Sequence, residues 1–273
     1  MPTRRSRSRA IRGSRSTKRV AWPDALVITD AAFYAAAVPA ALLVGIGKAG
    51  IPGGLGMLAV PLMALSVPVP AAAAIVLPLL TVGDLFGLAA LIRQRDRALL
   101  RVLLPSGLFG IVVGLLLFNV LSARAMGGLV GVMTLLFLAQ RLLFTPPAEG
   151  RTMPRWAVAL AGAVSGITSF AAHAGGPPIS MVLMPMKLAP TVFAATGAVF
   201  FASINASKWL PYAWLGLIDT TNMSTALVLA PCAAAGVAFG VVVLRRLPAL
   251  WFYRLVSVGL FVTGVKLVWD ALA

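Results

Sequence analysis

The sequence predicts an all-α, polytopic integral membrane bundle, first of all from its composition. Of the 273 residues, 60% are hydrophobic and 11% are charged, whereas about 25% of the residues of an ordinary soluble domain are charged. The mean hydropathy of +0.97 is too high for a surface that faces water. The composition therefore excludes a soluble globule and a disordered chain, and it indicates that most of the protein lies in lipid.

The distribution of apolar residues is the second observation that predicts this fold. A helix needs about 20 apolar residues to cross a bilayer, and eight runs are long enough. Two shorter runs, 53–67 and 176–188, each follow a Gly-rich break and hold a Pro. We expect them to form broken or re-entrant helices, which persist at membrane depth only when protein buries them or they line a cavity. The eight long runs are 25–47, 71–92, 98–121, 125–144, 156–173, 191–215, 223–244 and 249–270.

Residues 1–23 form a basic, Ser-rich tail, which accounts for much of the net charge of +16. The tail has no apolar period, so we expect it to be disordered. The sequence favours a tail with no role beyond setting the orientation in the membrane; contact of its basic side chains with anionic lipid headgroups is the alternative. Nucleic acid is not expected as a partner, because no folded basic module accompanies the tail. The apolar run that follows is longer than the 7–15 residues of a signal-peptide core, so we interpret it as a retained membrane anchor.

Two halves of similar order form the body of the chain. Each half has a Gly-rich break, a short run with Pro, a long helix, a polar turn, a helix with Pro near its start and a last helix. Gly110 lies five residues after Pro105, and Gly236 lies five residues after Pro231. GxxxG spacings such as Gly127/Gly131 favour close helix packing. Such a repeat is typical of transporters. The predicted divisions are a tail 1–23, a first repeat 24–144, a linker 145–155 and a second repeat 156–273.

The basic loops favour eight crossings, four in each repeat, with both chain ends in the cytoplasm. This arrangement places the basic tail and the loops around Arg95 and Arg151 inside the cell. It leaves Arg245 and Arg246 outside. Ten crossings, arranged as two inverted five-helix halves, are the alternative.

Lys48 is the first of the ionisable candidates for a functional site near membrane depth, where a charge costs about 2.5–3.5 kcal/mol. It lies in GIGKAGIPGG (45–54), and we expect the five glycines there to interrupt the helix. Broken backbone frees amide groups, including those of Gly53 and Gly54, beside the positive end of a half-helix. An ammonium group next to them would favour an anion site. The alternative is a lysine that snorkels to the interface.

The corresponding break of the second half, SFAAHAGGPPI (169–179), contains His173, Gly175 and Gly176. His173 is the only histidine and Cys232 the only cysteine, so the sequence predicts no metal site, no cofactor and no internal disulfide. His173 is a candidate donor to an anion. A hydrogen-bonded structural role is the alternative.

Polar pairs three residues apart mark one long helix in each half. Asn205 and Lys208 share a helix face, and together they suit an oxyanion; the alternative is a snorkelling Lys208. Thr81 and Asp84 have the same spacing in the first half. They are the candidates for coupling: Asp84 is either a proton carrier or the counter-ion of Lys48 or Lys208.

Enzyme motifs are absent from the sequence. It has no HExxH helix, no GxxxxGK[ST] phosphate loop and no GxSG element, since residues 163–166 read AVSG. The sequence therefore predicts that the protein is not an enzyme.

In these same segments the sequence resembles the TauE/SafE family of membrane transporters, also called sulfite exporter or TSUP proteins. GIGKAGIPGGLGMLAVPLMAL and LPLLTVGDLFG resemble the first repeat of that family. SGITSFAAHAGGPPISMVLMP and FFASINASKWLPYAWLG resemble the second repeat. The resemblance covers residues 25–272 and leaves the basic tail outside. It implies a four-plus-four helix transporter that moves small sulfur-containing anions across the bacterial inner membrane.

The leading interpretation is a secondary transporter that exports sulfite or an organosulfonate by alternating access. The predicted substrate ligands are Lys48, Gly53, Gly54, His173, Gly175, Gly176, Asn205 and Lys208. Proton-coupled uptake of a sulfur oxyanion or a small carboxylate, an anion channel and a non-transporting membrane scaffold are the alternatives. The expected partners are the anion and membrane lipid, and a homodimer is left open.

Overall fold

The computed structural model describes residues 27–48, 55–143, 150, 152–243 and 249–273. The basic tail, Gly53, Gly54, much of the linker, and Arg245 with Arg246 lie outside the described residues, so the predictions that fall on them stay predictions. Within the described ranges the chain is helical and forms no strand. Six of these helices are long and apolar enough to cross a membrane. The predicted all-α membrane bundle is therefore confirmed.

The described part of the chain forms ten α-helices, of which eight are long and two are short. A 3-10 turn at Leu55–Leu58 precedes the first short helix, and another at Ile92–Gln94 follows the third helix. The helices are α1 Ala31–Lys48, α2 Ala59–Met63, α3 Val69–Leu91, α4 Arg97–Val120, α5 Ala123–Leu143, α6 Arg155–Ala172, α7 Gly176–Leu183, α8 Pro190–Trp214, α9 Thr220–Val243 and α10 Ala249–Leu272.

The start of the first Gly-rich segment is helical, contrary to the expectation. The glycines were expected to interrupt the helix around Lys48, but α1 continues through Gly45 and Gly47 to Lys48 itself. Packing explains this, because a Cβ on Gly45 would lie 2.0 Å from the Ala233 carbonyl oxygen of α9. Tertiary contact thus outweighs the weak helix propensity of glycine. Lys48 consequently lies at a helix C-terminus, where a cation is favourable.

The long helices pack in pairs that mirror each other in chain order. Helix α1 packs on α9 while α6 packs on α4, so the first helix of each half contacts the fourth helix of the other. Helices α3 and α8 pack together, as do α5 and α10. This pattern supports the predicted repeat. The repeat boundaries, the eight crossings and their orientation stay predictions.

Glycines bring the paired helices into direct backbone contact. A Cβ on Gly110 of α4 would lie 2.1 Å from the Ala163 carbonyl oxygen of α6. A Cβ on Gly236 of α9 would lie 2.3 Å from the Leu42 carbonyl oxygen of α1. The two glycines that the sequence aligned therefore have equivalent roles. By contrast, a Cβ on Gly127 would meet nothing within 4 Å.

The core lies around α3. Its N-terminal half is a run of small and branched apolar side chains without solvent exposure, from Ala72 to Leu77. Helix α8 packs along α3 and contributes the fully buried Phe200 and Ile204. The polar residues of both helices follow these apolar stretches, so Asp84 and Lys208 are fixed by a rigid scaffold.

Candidate functional site

Asp84 lies at the centre of a buried polar cluster. One carboxylate oxygen accepts from Lys48 Nζ at the end of α1, and the other accepts from Asn205 Nδ2 of α8 at 2.6 Å. Asp84 is 6% exposed and the Lys48 side chain 23%. Of the roles expected for Asp84, the structure gives it that of counter-ion to Lys48. Asn205 extends the ion pair to the second half of the chain.

Lys208 is enclosed, with no exposed surface. Its Nζ lies 3.1 Å from the Ser169 carbonyl oxygen, 3.1 Å from Ser169 Oγ and 2.5 Å from His173 Nδ1. All three hydrogens of the ammonium group therefore have an acceptor within the chain. The alternative of a snorkelling Lys208 is wrong, because a side chain at the interface would be exposed. Ser169 was missed by the sequence reasoning, although it precedes His173 by one helical turn and is polar.

His173 connects three helices. It caps α6 in the left-handed conformation with a φ of 53°, and its Nε2 lies 2.9 Å from the Ala73 carbonyl oxygen of α3. Because a carbonyl only accepts, Nε2 carries the hydrogen and Nδ1 offers a lone pair to Lys208. The ring is therefore in the neutral Nε2–H form. Ala73 contributes a backbone group, for which the sequence offers no signal.

The second Gly-rich break is tied closely to α6. Thr168 Oγ1 donates to the Ala174 carbonyl at 2.9 Å, and Ser165 Oγ donates to the Gly175 carbonyl at 2.7 Å. A Cβ on Gly175 would lie 2.6 Å from Ser165 Oγ, so this position requires glycine for close approach. Gly176 is the first residue of α7. These contacts hold His173 in place from its C-terminal side.

Thr81, the second coupling candidate, links α3 to α8. Its hydroxyl donates to the Leu77 carbonyl at 2.9 Å and accepts from Trp209 Nε1 at 3.0 Å. Trp209 was not among the predicted residues. Its position next to Lys208 was the available signal, since a buried indole N–H requires an acceptor.

The two halves contribute similar pairs to this cluster. In each half, the residue at the end of the first long helix contacts a charged residue of the second long helix. Lys48 contacts Asp84, and His173 contacts Lys208. Lys208 also interacts electrostatically with Asp84 and Lys48. With a neutral imidazole, and with both lysines protonated against one carboxylate, the cluster would carry a formal charge of +1. Such a buried excess charge is costly without a partner, so the cluster favours one negative charge.

A separate cavity of about 270 Å³ lies beside the second break. Its walls are almost entirely apolar, and the residues of the charged cluster do not line it. Thr168 and Ala174, which hold the break, form part of its wall. The lining suits hydrocarbon rather than an oxyanion. Its residues are Met57, Met133, Thr134, Leu136, Phe137, Val164, Thr168, Ala174, Pro177, Pro178, Met181 and Leu260.

The part of the chain that the structure describes includes side chains of the types that hold metal ions. No three His, Cys, Asp or Glu side chains gather there as a metal site requires. The donors of the cluster are ammonium and amide N–H groups, which bind anions rather than cations.

Long apolar helices packed around a buried, charged cluster beside the second Gly-rich break are typical of a polytopic membrane protein of the transporter class. The family model described as Sulfite exporter TauE/SafE matches residues 37–267. The chain belongs to the TauE/SafE sulfite exporter family, and the resemblance found in the sequence is confirmed. Membership makes the chain a multi-pass protein of a transporter family. No curated protein and no solved structure matches the chain.

Proposed function

We propose that the chain is a secondary transporter that exports a small sulfur oxyanion, sulfite or an organosulfonate, across the bacterial inner membrane. Family membership supports transport of a sulfur-containing anion. The observation that carries the anion site is the unexposed Lys208, which lies in a cluster that would carry a formal charge of +1 with both lysines protonated. Inserting a charged side chain into the membrane costs free energy. A membrane protein that transports no ion has no need to bear this cost.

The N–H groups of the cluster suit an oxyanion. Lys208 Nζ, Lys48 Nζ and Asn205 Nδ2 are donors from α8 and α1, and an oxyanion offers several acceptor oxygens. In the structure Lys208 donates to neutral acceptors, the Ser169 oxygens and His173 Nδ1. A hydrogen bond to an anionic oxygen is stronger than one to a neutral acceptor. The anion therefore replaces at least one of these contacts when it binds.

Alternating access fits the placement of the site. The cluster lies where α3 of the first half meets α8 of the second, and transporters with internal repeats bind their substrates between the repeats. The Lys48 side chain is 23% exposed while Lys208 is fully buried. This difference in exposure favours a conformation in which the anion reaches the site from the Lys48 side only.

Export is favoured over uptake by the electrostatics of the membrane. An inside-negative potential drives an anion outward by about 2.3 kcal/mol per charge per 100 mV, so export requires no coupling ion. Uptake would require a proton carrier, for which Asp84 was the candidate. Asp84 instead accepts from an ammonium and an amide group, so both of its oxygens are engaged as those of a counter-ion.

Sulfite flux in proteoliposomes tests this function. We expect Lys208→Ala to abolish flux, and Lys208→Arg to reduce it strongly because a guanidinium group does not fit the packed site. Lys266→Ala is the matched control, since Lys266 is half exposed and pairs with Asp270 on α10. Unchanged flux in both Lys208 variants would remove Lys208 from the site.

The wild-type flux also separates the alternatives. Saturation at low sulfite concentration together with counterflow indicates a carrier, whereas fast flux that rises linearly with concentration indicates a channel. A scaffold gives no flux of any tested sulfur anion.

A further inference from the structure

We propose that Asp84 is a built-in competitor of the transported anion: its carboxylate occupies the donors of the empty site, and the substrate displaces it from them. This inference rests on the proposed function and concerns the regulation of the same site. It goes beyond the counter-ion role, because it assigns to Asp84 a contact that must break in every transport cycle.

The geometry shows a carboxylate bound as a substrate oxyanion would be bound. Both oxygens of Asp84 are engaged, one by Lys48 Nζ of α1 and the other by Asn205 Nδ2 of α8 at 2.6 Å. Carboxylate and sulfur oxyanions offer the same kind of acceptor, an anionic oxygen that takes charge-assisted hydrogen bonds. Lys48 and Asn205 can therefore serve either the tethered anion or the free one.

Gly83 allows Lys48 to reach this carboxylate. A Cβ on Gly83 would lie 2.9 Å from Lys48 Cγ and 3.1 Å from its Cδ, so the lysine stem lies directly over the α3 backbone next to Asp84. The stem is fixed by this packing, whereas the Asp84 carboxylate is released by rotation of its own short side chain. An arriving anion can thus take the ammonium group without moving α1 or α3.

Release of the substrate is the step that needs such a competitor. A bound anion that faces Lys48, Lys208 and Asn205 in a site shielded from water would leave slowly, because its electrostatic interactions are strong there. A tethered carboxylate acts at a high effective concentration. When Asp84 returns to Lys48 and Asn205, it replaces the contacts of the departing anion and leaves no buried donor unpaired.

Sulfite binding to the purified full-length protein tests this proposal. We expect Asp84→Asn to bind sulfite about tenfold or more tightly than the wild type, and to show a lower maximal flux because release is slower. Asp270→Asn is the matched control: it removes the carboxylate of the other described Lys–Asp pair, on the exposed face of α10, and should change neither quantity. Equal sulfite affinity of Asp84→Asn and the wild type would overturn the proposal.

A second measurement uses the wild type, so it does not depend on the folding of the variant. Displacement of Asp84 changes the hydrogen bonds of its carboxylate, so sulfite should produce a carboxylate band in the infrared difference spectrum. Asp270→Asn should keep this band and any folded Asp84 variant should lose it. Sulfite binding without the band overturns the competitor role and leaves the proposed function intact. If the wild type neither binds nor transports sulfur oxyanions, both proposals fall.

Discussion

His173 accepts a hydrogen bond from Lys208 on Nδ1 at 2.5 Å and directs its other ring nitrogen to the Ala73 carbonyl at 2.9 Å. One ring thus orients the ammonium group of α8 against the backbone of α3. The left-handed backbone of His173 sets this geometry, because it turns the chain out of α6 just where the ring must face α8. The break is therefore a positioning element for Lys208.

Substitutions of His173 should separate its two hydrogen bonds. Asn fits the left-handed conformation and keeps an acceptor near the place of Nδ1, whereas Gln keeps a donor near the place of Nε2 and is strained in that backbone. We expect His173→Asn to retain measurable sulfite flux. The sulfite flux of His173→Gln should be lower than that of the wild type by about tenfold or more. The measurement is initial flux per folded transporter in proteoliposomes. Greater flux in His173→Gln would contradict the orientation of the ring.

Lys208→Met should separate function from stability. Met has nearly the length of Lys and no charge, so it removes the excess positive charge of the cluster. This gain offsets the loss of the Lys208 hydrogen bonds to Ser169 and His173. We expect an unchanged or higher melting temperature in detergent together with loss of sulfite flux.

The control for this prediction is Lys266→Met on the exposed face of α10, which should change neither quantity. A variant of Lys208 that lost flux only because it unfolded would show a lower melting temperature. That result would indicate a structural lysine instead of a ligand.

The sequence predicted helix positions far better than side-chain partners. Long apolar runs mark membrane helices by length alone, and helices such as α3 and α8 begin and end within a few residues of the expected bounds. Hydrophobicity does not encode which residues meet across the bundle. The sequence could therefore name Asp84 and Lys208 as buried charges, yet it left open which cation Asp84 contacts.

Backbone groups explain the rest of what the sequence missed. The Ala73 carbonyl and the Ser169 carbonyl both contact the cluster, and any residue type supplies such a group. The continuation of α1 to Lys48 was missed for a related reason. Glycine propensity is local, whereas the contact of Gly45 with the backbone of α9 depends on a helix almost two hundred residues away.

Gly110→Ala should destabilise the contact between α4 and α6. The added Cβ would lie 2.1 Å from the Ala163 carbonyl oxygen, so the helices must separate, at a cost of about 1–3 kcal/mol for overpacking. The measurement is the melting temperature in detergent. Gly197→Ala in α8 is the control, because its Cβ meets nothing within 4 Å and alanine favours a helix interior by about 0.5–1 kcal/mol. A lower melting temperature for Gly197→Ala than for Gly110→Ala would contradict the direct backbone contact.

Thr81 and Trp209 offer a test of whether transport requires the Thr81 hydroxyl itself. The hydroxyl accepts from the indole N–H at 3.0 Å, and a bond of this kind contributes about 0.5–1.5 kcal/mol to stability. Thr81→Val and Trp209→Phe should each lower stability, and the double variant should lose less than the sum of the two because both remove one bond. If Thr81 acts only by joining α3 to α8, the two single variants should reduce sulfite flux to the same extent. A Thr81→Val variant that loses flux while Trp209→Phe retains it would instead assign the hydroxyl a direct contact with the transported ion.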